Sequence, residues 1–325
     1  MGRSTISKRI YCKKAEFLHN QDEPILQNKL RDALLKNNKV GQRKEEQGEN
    51  NTYVRTIIYH RNYANALFGI LASYERGTNQ LTVQEDDEAE ILTVEQVAPP
   101  QKEGEKRSEF LEGVLYFCVF GNHVVVSPSR ALRVAPLENH LNWLLEKSGH
   151  LNNENRMALS DQVSKLTKEK IRKSHVKQIE LGAPFINTTG KEIKIKTNDE
   201  KAFQLNGMGI DFLSSLFSKE KMNDFSFIDA VDANIDVTLK IKYSRKTSEN
   251  AHRLIDNLAL SMRDVDHGHV NLELANGSKV KGDELKILKS VNVQARDGIP
   301  NPDDLFGIMH AWLTQQLEDG IIDSQ

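Results

Sequence analysis

The stretch Leu115-Tyr116-Phe117-Cys118-Val119-Phe120-Gly121-Asn122-His123-Val124-Val125-Val126 decides the fold class. Two apolar runs, rich in β-branched and aromatic residues, flank a Gly-Asn pair. Such side chains suit a pleated, buried surface. Gly121-Asn122 supplies the residue types that a two-residue hairpin turn demands for positive φ. The reading is an antiparallel hairpin over residues 109–120 and 123–127. Residues 114–120 form the longest apolar run of the chain. A membrane helix needs about 20 apolar residues, so no bilayer span is expected.

Outward from the hairpin, hydrophobic periodicity and turn residues divide the rest. Upstream, strands are expected at 9–17 and 53–59. Ile25, Leu26, Leu30, Ala33 and Leu34 share one face of a helix over 25–35. Asp22 and Glu23 favour its start, with Pro24 in the first turn. Residues 67–75 and 80–84 read as a second hairpin across Gly77-Thr78-Asn79. An acidic run at 85–90 and a charged linker at 98–108 follow. Downstream, a helix over 137–145 carrying Trp143 closes the first part, and the Asn-rich stretch 150–155 reads as a boundary.

The second part opens with a charged helix over 160–173. Strands are expected at 175–181 and 192–196 around the loop 182–190, then a helix at 209–217 and a strand at 233–243. A helix over 247–262 has Thr247 as its cap. Strands at 270–274 and 286–293 flank the Asn276-Gly277 turn. The closing helix, 302–318, is apolar at Leu305, Ile308, Met309, Trp312 and Leu313, as a core or a docking face requires. The expected fold is α+β: mainly antiparallel sheets with helices packed on one side, in two domains, 1–150 and 151–325.

The chain has 325 residues, 38% hydrophobic and 28% charged, a globular composition. Its formal net charge is -2, so recognition of a polyanion has to come from local clustering. Cys12 and Cys118 lack metal-ligand spacing and read as packed free thiols of a cytoplasmic protein. Residues 1–9 are polar and basic with no apolar run after them, so no secretory signal is expected.

Two basic stretches stand out. In residues 235–245, Ile235, Val237, Leu239, Ile241 and Tyr243 alternate with Thr238, Lys240 and Lys242. Arg245 and Lys246 follow, and Arg253 lies in the next helix, so cations are expected to converge at a strand–helix corner suited to phosphate oxygens. The same pattern suits a solvated sheet face whose lysines guard an edge. Lys165, Lys168 and Arg172 recur along one helix face, with Lys173 and Lys177 nearby. That stripe matches a phosphate backbone, and equally an ordinary exposed helix.

Enzyme signals are short. Asp264, Asp266, His267 and His269 are the only cluster of metal-ligand types, and they also suit a turn. Glu192-Ile193-Lys194 and Glu284-Leu285-Lys286 match half of a metal-dependent nuclease motif. No Gly-rich phosphate loop or Gly-x-Ser-x-Gly elbow is present. No catalytic residue and no cofactor is expected; a metal-dependent nuclease and an interaction or scaffold module are the alternatives.

Three features together resemble the RexA-like phage exclusion proteins and, more distantly, the KwaB subunit of the Kiwa defence system. They are the opening strand with Tyr11 followed by a helix, the segment 115–126 leading into a helix, and the stretch 235–245. The insertions at 39–51 and 98–108 depart from that pattern. The resemblance implies a non-enzymatic, cytoplasmic DNA-binding protein of anti-phage defence, a dimer working with a small membrane protein encoded nearby, which would recruit it to the inner membrane. It supplies no site residues. Lys240, Lys242, Arg245, Lys246, Arg253, Lys168, Arg172 and Lys173 are chosen for DNA on charge and position here.

Overall fold

The computed structural model describes residues 4–17, 24–48, 50–83, 91, 93–100, 108–152, 156–184, 236–243, 248–261 and 269–322. The expected strand at 192–196 and helix at 209–217 lie outside them. The fold is α+β, and among the described residues every strand pairs antiparallel. Two units make up the chain: Met1–Gln162 with Ile287–Gln325, and Val163–Lys286.

The first unit is built on one large sheet. Its strands are β1 (Ser4–Phe17), β2 (Lys44–Gln47), β3 (Tyr53–Tyr63), β4 (Ala66–Glu75), β7 (Leu111–Phe120), β8 (His123–Ser127), β9 (Met157–Asp161), β14 (Ile287–Arg296) and β15 (Ile299–Pro300). They run in the order β15-β14-β1-β8-β7-β4-β3-β2, and β9 also pairs with β1. Strands β5 (Gln80–Val83) and β6 (Val94–Val97) form a separate ribbon. Helices cover both faces of the large sheet. On one face α1 (Leu26–Lys36) and α2 (Val134–Lys147) pack Leu30, Leu34, Leu141 and Leu144 onto Leu67, Leu115, Phe117, Val124 and Val126. On the other, α5 (Pro302–Glu318) packs Phe306, Met309, Trp312 and Leu313 onto Phe68, Tyr116, Cys118 and Val125. Helices on one side only were expected. Val124-Val125-Val126 shows why two layers are needed: successive side chains of a strand point to opposite faces, and no residue of this run is polar.

The hairpin over 111–127 forms as read, with Phe120 opposite His123. Positive φ is needed only at Gly121 (59°). The turn also caps α1. Asn122 Oδ1 accepts the Leu26 N–H at 2.6 Å, and Asn122 Nδ2 donates to the Pro24 carbonyl at 3.0 Å. Gly121 O accepts the Gln27 N–H at 3.1 Å, and Gln27 Oε1 accepts the Gly121 N–H at 2.7 Å. Helix starts leave unpaired N–H groups, and Ile25 at the cap position has no side-chain acceptor to offer. Asp22 and Glu23 lie outside the described residues.

The second expected hairpin pairs differently. Strand β4 joins β3 through Ala64-Asn65, whose φ values of 47° and 63° make a two-residue turn of the primed kind. Beyond Gly77, β5 turns away to β6. Ala64 hid the true turn, because alanine rarely adopts positive φ.

The division between units also departs from 1–150 and 151–325. Strand β9 pairs with β1 from Met157↔Phe17 to Asp161↔Lys13, and β14 takes up the same edge at Ile287↔Cys12. Between them, Gln162 donates to Cys12 O at 3.4 Å, and its own carbonyl accepts the Ile287 N–H at 3.0 Å. One long strand is thus interrupted, and the second unit is the interruption. The expected helix at 160–173 begins only at Lys165, because Ser160 and Asp161 belong to β9.

In the second unit, β10 (Val176–Pro184), β11 (Asp236–Lys242), β12 (His269–Leu274) and β13 (Lys279–Lys281) form a sheet ordered β11-β10-β12-β13. Helices α3 (Lys165–Ser174) and α4 (Glu249–Ser261) place Ile171 and Ala259 in one core with Val176, Ile179, Leu272 and Val280. Asn276-Gly277 joins β12 to β13, with Gly277 at φ 81°. The strand expected at 286–293 is β14 and belongs to the first unit.

Candidate nucleic-acid interface

Helix α3, Lys165-Leu166-Thr167-Lys168-Glu169-Lys170-Ile171-Arg172-Lys173-Ser174, is the most cation-rich helix among the described residues. Ser164 Oγ caps it by accepting the Thr167 N–H at 3.1 Å. Thr167 Oγ1 donates to Glu284 O at 3.1 Å, and Ile171 is its buried residue. Those two fix the inward side. At 100° per residue, Lys165, Arg172 and Lys173 then point outward, with Lys168 on one flank and Lys170 on the other. All five cations are exposed. Lys173 lies 3.8 Å from Glu169 and Lys170 lies 3.6 Å from Glu284. Lys168 and Arg172 have no carboxylate within 4.0 Å among the described residues.

Helix stability does not explain this distribution. Arg172 and Lys173 sit at the C-terminal end, where cations favour the helix dipole. Lys165 and Lys168 sit at the opposite end, and no acidic residue occupies the first turn. Cations there oppose the dipole.

The basic strand is described as β11. Lys240 and Lys242 are exposed on the sheet face opposite the core, since Ile241 between them packs inward. Lys240 Nζ lies 3.3 Å from Glu180 Oε2. Arg245 and Lys246 lie outside the described residues. Arg253 is on α4, which covers the core face of the same sheet. Among the described residues of that corner, Lys240 and Lys242 are on one side of the sheet and Arg253 is on the helix that covers the other. On the outer face Lys177 also donates to Glu273 at 2.9 Å, a hydrogen bond that raises the lysine pKa and lowers that of the glutamate.

Asp264, Asp266 and His267 lie outside the described residues, and His269 opens β12. Among the described residues no group of three or more His, Cys, Asp or Glu is placed to hold a metal. Glu284-Leu285-Lys286 falls on a 3-10 turn, Gly282–Leu285, and its exit rather than on a strand. Glu192-Ile193-Lys194 lies outside the described residues.

Burial pushes the Cys12 thiol up to about 12, with the Asp161 charge adding to the effect, and pushes Cys118 up further still. Thiols so placed stay protonated at neutral pH and are poor nucleophiles. Strand β8 stands between them, with Val125 opposite both.

One polar cluster had no signal in the sequence. His175 ends α3 at φ 47°, and its Nδ1 lies 2.7 Å from Asp256 Oδ2, while Asp256 Oδ1 accepts the Val176 N–H at 2.6 Å. His252 stacks on His175 at 4.8 Å, with Tyr243 edge-on at 5.2 Å. These contacts tie the end of α3 to α4 and so fix the basic helix on its core. The partners are too far apart in the chain for spacing to suggest them.

No protein-family model matches the chain, and no curated protein sequence matches it. No described helix is long and apolar enough to cross a membrane.

Proposed function

We propose that the chain is a non-enzymatic DNA-binding protein that grips the phosphate backbone without reading sequence, and that α3 is its principal contact. What supports this reading most is the placement of five cations on a ten-residue helix, two of them against the dipole. Lysine and arginine that neutralise phosphates release condensed counterions, so affinity falls steeply with salt. Phosphate contacts carry no base information, so duplexes of unrelated sequence are held alike.

Fluorescence anisotropy with several unrelated duplexes over a salt series tests this. Equal affinities at each salt concentration, all falling together as salt rises, are the expected result. No binding at low salt, or strong preference for one sequence, overturns it. The reading contains no catalytic step, so DNA incubated with the protein and Mg²⁺ or Mn²⁺ stays intact. Cleavage that disappears in His267→Ala would instead establish a metal-dependent nuclease.

The resemblance to phage exclusion proteins extends the reading to anti-phage defence in the cytoplasm, with a homodimer working beside a small membrane protein. A gene for such a membrane protein next to this one supports that extension; unrelated neighbours count against it.

A further inference from the structure

The second unit carries another cationic surface, on the side of its sheet away from α3. Strand register lays two rows of side chains across the outer face. One row is Lys242, Gln178, Glu273, Lys279; the other is Lys240, Glu180, Asn271, Lys281. Between them runs the row Ile241, Ile179, Leu272, Val280, which faces the core. Each outer row begins and ends on a lysine at an edge strand. Within these two rows and with Lys177, five lysines stand against two glutamates, Glu180 and Glu273. Both glutamates are already engaged, by Lys240 at 3.3 Å and by Lys177 at 2.9 Å.

The spacing suits a duplex. Three inter-strand steps of about 4.8 Å put the two ends of each row about 14 Å apart. That is of the order of a major-groove width, about 12 Å, so lysines on β11 and β13 reach phosphates on both walls of a groove.

The sheet separates this face from α3, whose Ile171 is buried in the core on the other side. A single duplex would have to fold back around the unit to touch both surfaces. DNA has a persistence length of about 150 base pairs, so a stretch of about 20–30 base pairs resists even a right-angle bend. A reversal over that length costs more than a few lysine contacts return. We propose that the second unit holds two duplexes at once, one on α3 and one on the outer sheet face, and so bridges them. This inference rests on the DNA-binding reading above.

Bead capture with the intact chain tests it. A biotin-labelled duplex is immobilised, protein is added, and a second, fluorescent duplex follows. The intact chain should retain the fluorescent duplex. The variant Lys279→Glu/Lys281→Glu should still bind one duplex through α3 and lose the capture of the second. Lys279→Gln/Lys281→Gln, which shortens the side chains and removes their charge without reversing it, should show the same loss while still binding one duplex, and that retained binding excludes misfolding as the cause. Lys168→Glu/Arg172→Glu should also lose capture. Bridging that survives in both β13 variants overturns the proposal and assigns it elsewhere, for instance to a second copy of the chain. One-duplex binding by the intact chain without capture overturns bridging alone. Failure to bind any duplex overturns the DNA-binding reading beneath it.

Discussion

Asn122 shows how much a single side chain organises. Its amide closes the start of α1 from a turn far away in sequence, at 2.6 Å to Leu26 N and 3.0 Å to Pro24 O. Capping side chains are worth about 0.5–2 kcal/mol, so Asn122→Ala should lower stability by about 1 kcal/mol, read as a lower urea midpoint at unchanged slope. Half of this was legible. Gly121-Asn122 announces a turn, but nothing local says which helix the turn will cap. The pair His140–Glu45 was wholly hidden: the residues stand 95 positions apart, with Nδ1 and Oε2 at 2.9 Å in a buried site. Burial holds His140 below its ordinary range, so it stays neutral and donates to Glu45. An unfolded histidine takes up a proton near pH 6.5. The folded pKa lies below that, so the unfolded state binds more protons in this window. His140 therefore contributes stability above about pH 6.5 that is lost as the pH falls through 6.5 towards the folded value. His140→Gln, which keeps a donor without a titration, should flatten the stability profile between about pH 5 and 7. An unchanged profile contradicts the assignment.

At the scale of elements, periodicity was a good guide and pairing was not. The closing helix appears at the bounds its pattern implies, Pro302–Glu318, because Leu305, Met309, Trp312 and Leu313 recur at helical spacing and Asn301 caps the start. Those residues are core, so α5 is not a spare docking face. Truncation after Asp304 should leave an aggregate rather than a folded monomer, and Trp312→Ala should cost about 3–5 kcal/mol, measured by denaturant unfolding. Strand partners were harder to read, because register is set by turns and by long-range contacts. Strand β4 pairs through Ala64-Asn65, a turn its alanine disguised, and the lysine alternation in β11 revealed two faces without showing that Arg253 would be across the sheet. For α3 the charge pattern was visible, but its orientation needed Thr167 and Ile171, whose inward side only the fold reveals.

For the whole molecule, the decisive feature is the interrupted strand. The two-domain content was legible from length, but the insertion was not. The Asn-rich stretch at 150–155 looked like a linker, while the strand that resumes at Ile287 reads locally like any other. Because Gln162 and Ile287 are joined by a hydrogen bond of 3.0 Å, the first unit should tolerate excision of Val163–Lys286 with a short Gly-Ser link in its place, as insertions at such sites generally do. The excised protein should unfold cooperatively in thermal denaturation; a non-cooperative transition would show that the first unit depends on its insert. It should also fail to bind DNA, since α3 leaves with the insert.

The most direct test of α3 as the DNA contact is the salt dependence of duplex binding by the intact chain and by Lys168→Glu/Arg172→Glu. Each phosphate neutralised contributes about 0.9 to the slope of log affinity against log salt. The variant should bind more weakly at low salt on every sequence, with a slope shallower by about 2. A variant whose affinity and slope match those of the intact chain would contradict the assignment of DNA to this helix.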